Sequence, residues 1–326
     1  MSVKKIAKLA GVSVATVSRV LNNSSTVKKS TFDKVSKIIH DINYKPNIIA
    51  RQLRTSRASI ILVVCSDISN PFISSVLKSI ENSAKEEGYR IVFSSTNGMP
   101  MLIDELLNLI SGKTIGGVIS LDEISMHPNL DKYCNGIPWV LCGETSDLDN
   151  FSSVSIDDEA AAYTATKTLL NSGKEKIALI NHDGNFSYAN KRQHGYERAV
   201  KESAVHYKKI VYINEISFKT GMSAAEELLA SSNPPDAIVA VSDLLAIGAT
   251  QQAKRRRIDI PEKLAIIGFD DIPVAEMVSP ALSTIHQPAK EMGKIAVELL
   301  IEKLISPAAP SKAIQLEWTL VERETH

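Results

Sequence analysis

The hydrophobic positions of residues 1–43 recur every three or four residues, which is the spacing of one buried face on each of three short helices. The first helix is predicted over Lys4–Ala10 and the third over about Ser30–Asn43. Between them, Ser13 is a suitable N-cap for a second helix, because its hydroxyl can accept hydrogen bonds from first-turn amides. The predicted inward positions are Ile6, Leu9 and Ala10, then Val17, Val20 and Leu21, and finally Phe32, Val35, Ile38, Ile39 and Ile42.

Two helices joined by a short turn at Gly11-Val12 and supported by a third helix form a helix-turn-helix, whose second helix enters the DNA major groove. Val14, Ala15 and Arg19 fall on the outward side of that helix. The two apolar side chains can pack on thymine methyl groups, and arginine can donate two hydrogen bonds to one guanine. A three-helix bundle with an incidental surface valine is the alternative. The polar positions placed for phosphates or neighbouring bases are Ser13, Thr16, Ser18 and Asn22.

The segment that follows Pro46 is predicted to form a second, shorter DNA-contacting element. Proline cannot donate a backbone hydrogen bond, so it ends the preceding helix. Asn47 can cap a new helix with Ala50 and Leu53 on its apolar side and Arg54 near its end. At about two turns, this helix is too short to be stable alone in water, so its apolar side needs a partner. A basic linker with a few stray apolar residues is the alternative.

From Ser59 onward, short apolar runs alternate with helical patterns, which predicts an α/β fold with a mostly parallel sheet. The predicted strands are Ile60–Cys65, Ile91–Ser95, Gly117–Leu121, Trp139–Cys142, Lys176–Ile180, Ala237–Val241 and Leu264–Gly268. The predicted helices include Phe72–Glu87, Asp158–Ser172, Asn190–Ser203, Gly221–Ala230 and Leu244–Arg256. Ligands of open α/β folds bind just past the carboxyl ends of the strands, so polar side chains there indicate a cleft for a small polar molecule. They include Asn70, Glu144, Asn181, Ser242, Asp243 and Asp270.

The distribution of charge favours the DNA-binding interpretation of the first residues. The whole chain is neutral, with 37 basic and 37 acidic side chains. Residues 1–58 hold 12 of the Lys and Arg but only 2 of the Asp and Glu, so their net charge is +10 and that of the remaining residues is −10. A small basic region attached to a larger acidic one indicates a polyanion partner at one end. A solvated basic surface is the alternative.

Other protein classes fit the sequence less well. No apolar run follows the first five residues and none reaches eighteen residues, so we expect a cytoplasmic protein without signal peptide, membrane span or membrane partner. Cys65, Cys134 and Cys142 are odd in number and widely spaced, which favours reduced thiols over a disulfide or a zinc site. An enzyme is the first rival, but no phosphate-binding glycine loop, nucleophile elbow or metal-ligand spacing is present, and no cofactor is expected. A solute-binding protein, the second rival, would have no use for a basic helical N-terminus.

The segments IAKLAGVSVATVSRVLN and YKPNIIARQLR resemble the lactose-repressor/galactose-repressor (LacI/GalR) family of bacterial transcription regulators. The resemblance continues through SDISNPF, KRQHGY, AVSDLLAIGA, IPEKLAIIGFDDI, PALSTIHQPAKEMG and LVERE. It implies a helix-turn-helix domain over residues 1–46, a hinge helix and linker over 47–58, and an effector-binding and dimerisation domain over 59–326. The last is expected to have a periplasmic-binding-protein-like type I fold of two Rossmann-like subdomains, about 59–157 with 287–310 and about 158–286 with 311–326.

By the same resemblance, the hinge helix pairs with its twin in a homodimer, and Leu53 wedges into the minor groove of a palindromic operator. Phe72 would stack on an effector between the subdomains, Arg192 would lie at the cleft, and Asp270 would accept hydrogen bonds from hydroxyl or amine groups. Ser242 replaces an asparagine that is frequent in sugar-responsive members, so a sugar or a nucleoside- or purine-like effector is expected, with a simple hexose less favoured. The implied protein is an effector-controlled regulator, expected to repress, and not an enzyme.

Each of these effector positions also has a structural alternative. Phe72 could be a core aromatic residue at a helix start. Arg192 could pair with a nearby carboxylate, and Asp243 could be the N-cap of the helix that follows it. An acid directly after an apolar strand has little use in packing, so Asp270 is the position for which a binding role is favoured.

Overall fold

The computed structural model describes residues 3–21, 27–41, 60–96, 115–121, 137–144, 151–183, 186–203 and 207–326. The chain divides into two compact units, Met1–Ala58 and Ser59–His326. No helix within the described ranges is both long and apolar enough to cross a membrane. Two of the cysteines, Cys65 and Cys142, are buried reduced thiols, as predicted; Cys134 lies outside the described residues.

The first unit contains the three predicted helices, α1 (Val3–Ala10), α2 (Val14–Leu21) and α3 (Lys29–Asp41). Gly11 joins α1 to α2 with a φ of +65°, a left-handed conformation that glycine adopts without strain. The predicted N-cap at Ser13 is confirmed, because its Oγ accepts a hydrogen bond from the Thr16 amide at 3.0 Å. The buried core of this unit consists of Ile6, Ala7, Ala10, Val17, Val20 and Val35.

The prediction that Leu9 faces inward is wrong, since this side chain is 54% exposed. Helix α1 buries Ile6, Ala7 and Ala10 instead. At 3.6 residues per turn, Leu9 lies about 100° around the helix from the centre of that face. The small side chain at Ala7 occupies the inward position and lets the helices pack closely.

The second unit contains two six-stranded sheets with helices packed on them. Its described strands are β1 (Ile60–Cys65), β2 (Arg90–Ser95), β3 (Ile115–Ser120), β4 (Trp139–Cys142), β5 (Ser152–Ile156), β6 (Ile177–His182), β7 (Lys209–Ile213), β8 (Ala237–Ala240), β9 (Ala265–Asp270), β10 (Ser283–His286), β11 (Ala313–Leu316) and β12 (Thr319–Val321). Its described helices are α4 (Pro71–Glu86), α5 (Asp158–Asn171), α6 (Ser187–Lys201), α7 (Phe218–Leu229), α8 (Asp243–Arg255), α9 (Pro273–Met277) and α10 (Ala289–Ile305).

Sheet 1 has the order β11-β5-β4-β3-β1-β2, and sheet 2 has the order β12-β10-β9-β8-β6-β7. All described pairings are parallel except that of β10 with β12. Each of the seven predicted strands is present, with bounds shifted by at most two residues. The strands that the sequence pattern missed are β5, β7, β10, β11 and β12.

The subdomain boundary expected at residue 311 needs correction. Strand β11 pairs with β5, Ala313 lying opposite Ser153, so this strand belongs to sheet 1 and not to the second subdomain. The backbone of the preceding Lys312 already accepts a hydrogen bond from the Ser153 amide. In the described residues, the chain therefore passes between the sheets after β5, at residues 287–288 and at residues 317–318.

Candidate functional site

Helix α2 presents one apolar buried face and one exposed face. Val17 and Val20 are buried, whereas Val14, Ala15 and Arg19 are exposed. An exposed apolar pair beside an arginine, in the second helix of this arrangement, is a surface that can read base edges in the major groove. The surrounding exposed lysines, which can contact phosphates, are Lys8, Lys28, Lys29, Lys34 and Lys37.

The remaining positions predicted to contact DNA are distributed as follows. The hydroxyl groups of Ser13 and Thr16 lie 2.9 Å apart and are used in the cap of α2. Ser18 belongs to the same helix. The predicted positions outside the described residues are Asn22, Asn47, Ala50, Leu53 and Arg54.

In the second unit, three of the predicted polar residues converge at the carboxyl end of β9, namely Ser242, Asp243 and Asp270. Asp270 is the last residue of this strand and is only 6% exposed. Its Oδ2 accepts a hydrogen bond from Ser242 Oγ at 3.0 Å, and its Oδ1 accepts one from Gln287 Nε2 at 2.7 Å. Each oxygen keeps a second lone pair, so the carboxylate can still accept hydrogen bonds from a polar ligand.

Arg192 forms a buried ion pair next to this carboxylate. Its Nε and Nη2 each lie 2.8 Å from Asp158 Oδ1, and its Nη1 donates to the Val241 carbonyl at 2.6 Å. The guanidinium carbon lies 3.4 Å from the centre of the Phe269 ring, a cation–π contact. The structural alternative for Arg192, pairing with a carboxylate, therefore describes what its side chain does in this structure.

Close packing of α5 against α6 brings Arg192 to Asp158. A Cβ added at Gly195 would lie 2.1 Å from the Glu159 carbonyl oxygen, so only glycine permits this approach. Because Asp158 starts α5 and Arg192 lies within α6, the two charges meet where the helices touch.

Asp243 supports the turn that carries Asp270. It is fully buried, and its carboxylate accepts hydrogen bonds from the Ile272 amide at 2.8 Å and from Thr284 Oγ1 at 2.5 Å. A Cβ at Gly268 would lie 2.2 Å from its Oδ1, so the glycine makes room for this carboxylate. The alternative that Asp243 is an N-cap is wrong, because Ser242 occupies the N-cap position of α8.

The turn itself is strained. Asp270 has a φ of +113° and Asp271 a φ of +56°, values that residues with side chains rarely adopt. Asp271 is fixed by His286 Nδ1 at 2.9 Å and by Arg323 Nη2 at 2.7 Å. Strain of this kind persists only where the surroundings hold it, and it concentrates at ligand sites.

Asn70 and Phe72 lie at the start of α4 on sheet 1. Asn70 Oδ1 caps the helix by accepting a hydrogen bond from the Phe72 amide at 3.0 Å. Phe72 is partly buried and packs against the hydrophobic cores of both sheets. Its ring therefore lies where the two sheets meet, which fits both a stacking role and the alternative role of a core aromatic.

Two aromatic residues beside β6 were not singled out from the sequence. The His182 ring meets the Phe186 ring edge-on at 4.2 Å, and the Tyr188 ring lies 4.9 Å from the Arg192 guanidinium carbon. Asn181 Oδ1 is buried without a hydrogen-bond partner, whereas the neighbouring His182 Nδ1 lies 3.2 Å from Asp183 Oδ1. Unpaired buried polar atoms at a strand end are the groups that a ligand would satisfy. The signal was the sequence NHDGNFSY directly after an apolar strand.

Burial shifts the pKa values of three carboxyl groups in this site. Burial raises the pKa of Asp270 to about 6, although Arg192 and the hydrogen bonds from Ser242 and Gln287 act in the opposite direction. Burial, followed by the charge of Asp270, raises the pKa of Asp243 well above its usual value. Burial also raises the pKa of Asp158, against the attraction of Arg192. Burial disfavours the simultaneous ionisation of these three carboxyl groups. Binding of a proton or of a ligand that donates a hydrogen bond is therefore favourable there.

Replacing Asp270 by asparagine should stabilise the second unit at pH 7.5 by up to about 3 kcal/mol, the equivalent of moving a carboxyl pKa from its usual value to about 6. Because the folded pKa is raised, the ionised carboxylate costs stability above pH 6, and this cost disappears as the pH falls towards 4. The advantage of Asp270→Asn should therefore shrink steadily from pH 7 to pH 4.5. Urea unfolding followed by tryptophan fluorescence measures it, since both tryptophans, Trp139 and Trp318, lie in this unit. An advantage independent of pH would contradict the assignment.

Comparisons with known proteins relate both units of the chain to the same family of regulators. Residues 2–47 match the family model described as bacterial regulatory proteins, lacI family, and residues 151–326 match that of the periplasmic binding protein-like domain. The HTH-type transcriptional regulator DegA of Bacillus subtilis is 36% identical over 293 residues, which cover 88% of this chain and 87% of the relative. The ribose operon repressor of Haemophilus influenzae is 30% identical over 328 residues, 99% of this chain and 98% of its own. The crystal structure of the lac repressor dimer bound to operator superposes with a TM-score of 0.87 at 23% identity, over 100% of this chain and 98% of that one, and shows the same fold.

Proposed function

The chain belongs to the LacI family of bacterial regulatory proteins, and from this premise we propose that it is a transcription regulator that binds a palindromic DNA operator under the control of a small polar metabolite. The proposal is supported by two features taken together. Val14, Ala15 and Arg19 form an exposed surface on α2, and the buried Asp270 carboxylate of the second unit can accept further hydrogen bonds. One surface fits a duplex and the other fits a hydroxyl- or amine-bearing ligand.

Reading of the duplex is proposed to follow the chemistry of α2. Arg19 selects a guanine, Val14 and Ala15 select thymine methyl groups, and the lysines of the first unit bind phosphates. The net charge of +10 over residues 1–58 supplies sequence-independent affinity that falls with salt concentration. A homodimer places two such helices on two half-sites, which is why the operator is proposed to be palindromic.

The proposed effector is a sugar or a nucleoside- or purine-like molecule. The relatives named above include a repressor of a ribose operon, and others carry the names PurR and catabolite control protein A. In this chain, Asp270 supplies the acceptor, Arg192 and Ser242 lie beside it, and Tyr188 adds an aromatic surface. Aromatic faces next to hydrogen-bonding groups suit a ring-shaped polar ligand.

Control is proposed to work by linkage between the effector site and the hinge helix of residues 47–54. A two-turn helix is marginal in water, so a bias of a few kcal/mol decides whether it is formed. An effector that favours one angle between the subdomains changes the separation of the two hinge segments in the dimer. Without both hinges formed, affinity falls towards non-specific binding of the DNA backbone. A protein with this task works in the cytoplasm, where the DNA is.

Selection from a pool of random duplexes with the full-length chain tests the proposed function. We expect enrichment of one palindromic sequence, and a thermal-shift screen of sugars, nucleosides and purines should give at least one stabilising compound. That compound should then change the affinity for the selected palindrome, in the direction of an inducer or of a co-repressor. Enrichment of no sequence would contradict the proposal, and catalytic turnover of a stabilising compound would favour an enzyme.

Replacing Arg19 by alanine should relax sequence preference at a single base pair of each half-site, by about 1–3 kcal/mol. The arginine fork discriminates guanine, so the loss should be confined to the position it reads. Affinities for the selected palindrome and for its single-base variants measure this effect. The matched control is Lys37→Ala on α3, which should weaken all sequences alike; uniform weakening by Arg19→Ala would refute the proposed role.

Replacing Leu53 by alanine should reduce bending of the selected palindrome. A leucine wedged into the minor groove unstacks a base step and kinks the duplex, and alanine is too short to do so. Electrophoretic mobility of complexes with the palindrome at different positions along a fragment reports the bend. Mobility unchanged by the substitution would count against the wedge.

A further inference from the structure

Gln287 occupies a position that joins the two sheets. It lies in the two-residue connection, residues 287–288, between β10 of sheet 2 and α10, which packs on sheet 1. A side chain just before a helix often caps it, but the N-cap of α10 is Pro288 and has no side-chain hydrogen bond. The Gln287 side chain turns instead to Asp270, donating from Nε2 to Oδ1 at 2.7 Å, and the residue is only 4% exposed.

The helix that follows this connection is held firmly by sheet 1. A Cβ added at Gly293 of α10 would lie 2.6 Å from Ser79 Cβ and 2.7 Å from the Val76 carbonyl oxygen of α4. Ser79 Oγ also donates a hydrogen bond to the Lys290 carbonyl. Backbones in such close contact cannot slide independently, so a displacement of Gln287 is passed to α10 and sheet 1.

The other end of the contact is equally fixed. Asp270 ends β9, which lies between β8 and β10 in sheet 2, and the turn after it is held by the buried carboxylate of Asp243. The two oxygens of Asp270 have different partners. Oδ2 accepts a hydrogen bond from Ser242, which follows β8 of sheet 2, whereas Oδ1 accepts one from Gln287 in the connection to sheet 1. One carboxylate thus has one hydrogen bond within sheet 2 and one to the link with sheet 1.

We propose that Gln287 is a positioning residue that latches the connection between the sheets to the effector-binding carboxylate. A ligand hydroxyl or amine that also donates to Oδ1 of Asp270 shares this oxygen with the Gln287 amide, weakens their hydrogen bond, loosens the connection and so changes the angle between the sheets. The inference rests on the proposed function for the identity of Asp270 as effector ligand. The latch itself rests only on the contact.

Hydrogen exchange of the full-length chain at pH 8 tests the latch without any effector or DNA. The reporters are the Ala289 and Met292 amides, which donate to the carbonyls of Gln287 and Pro288. Gln287→Glu places a second carboxylate against Asp270 and should speed exchange of residues 284–292 by about tenfold or more, the loss of a charge-assisted hydrogen bond. Ser242→Ala removes the other hydrogen bond of the same carboxylate and should leave this exchange unchanged.

The double variant Asp270→Asn with Gln287→Glu should restore slow exchange. An asparagine at position 270 can keep its oxygen towards Ser242 and donate from its amide nitrogen to the new glutamate, which reverses the direction of the original hydrogen bond. If Gln287 acted only through packing and not through its hydrogen bond to position 270, the double variant would not give this rescue. If Gln287→Glu fails to fold, Gln287→Met removes the donor without adding a charge. Unchanged exchange in the single variant, equal acceleration by Ser242→Ala, or absence of rescue would each overturn the latch.

Affinity for the selected palindrome provides the regulatory readout. Without effector, Gln287→Glu should change this affinity by about tenfold or more, as a released connection would, and the double variant should restore it. Faster hydrogen exchange without a change in palindrome affinity would refute the proposed effect of Gln287 on DNA binding, although the hydrogen bond between Gln287 and Asp270 would stand. If no duplex is selected at all, the proposed function fails while the exchange experiment still decides on the latch.

Discussion

Replacing Arg192 by methionine should destabilise the unit Ser59–His326 by about 3–5 kcal/mol, because it leaves the Asp158 carboxylate buried without its cation. Arg192 is 5% exposed and Asp158 is 3% exposed, so water cannot take over the lost hydrogen bonds. Methionine approximates the length of the side chain, which limits the contribution of an empty cavity. Urea unfolding followed by tryptophan fluorescence gives the change in the free energy of unfolding.

The same two helices provide a matched control for this prediction. Arg198 of α6 pairs with Glu159 of α5 at the surface, where the two side chains are 45% and 37% exposed. Arg198→Met should cost less than about 1 kcal/mol, as exposed ion pairs do. Adding Asp158→Asn to Arg192→Met removes the orphaned charge and should recover a large part of the loss. Equal costs for the two arginine substitutions, or no recovery in the double variant, would contradict the burial argument.

Replacing Asp270 by alanine should abolish the response to effector and preserve sequence-specific operator binding. The carboxylate is the proposed acceptor for the effector, and its loss should weaken effector affinity by about a hundredfold or more, since buried polar groups of the ligand are then left unpaired. The DNA-reading surface lies in a different compact unit and has its own core, so the preference for the selected palindrome over random duplex should survive without effector, with only the roughly tenfold change in affinity expected from loss of the Gln287 hydrogen bond.

Calorimetric titration of the stabilising compound from the thermal-shift screen measures the effector affinity of Asp270→Ala. Electrophoretic mobility shifts of the selected palindrome measure its DNA binding. The matched control is Asp271→Ala, whose carboxylate binds His286 and Arg323 instead of Ser242 and Gln287 and which should retain a larger share of effector affinity. Full effector affinity in Asp270→Ala would mean that the effector binds elsewhere.

Local patterns predicted the three described helices of the first unit and seven of the twelve described strands. The 3.6-residue spacing identified Val17 and Val20 as buried and left Val14 and Arg19 exposed, because a short helix has only one face to bury. Six of the seven predicted strands are almost entirely buried, as expected of apolar runs covered on both faces, whereas β2 is largely exposed. The missed strand β11 is only four residues long and partly exposed, and β7, KIVYI, is an apolar run that the strand assignment passed over.

The contacts of the effector site could not be predicted in the same way. Gln287 meets Asp270 across 17 residues and Arg192 meets Asp158 across 34, distances that only the order of strands and the packing of helices determine. Asp270 was recognisable as an acid directly after an apolar strand, but nothing local showed that Asp243 would support its turn from behind. Leu9 was misplaced because its large apolar side chain was assigned to the inward face with Ile6 and Ala10, where the structure buries the smaller Ala7 instead.

The most direct test of the whole account is the affinity of the full-length chain for its selected palindrome relative to random duplex at physiological salt, measured with and without the stabilising compound. We expect a preference of about a thousandfold or more in one of these two states and a clearly smaller preference in the other. A chain that binds both duplexes equally in both states would contradict the account.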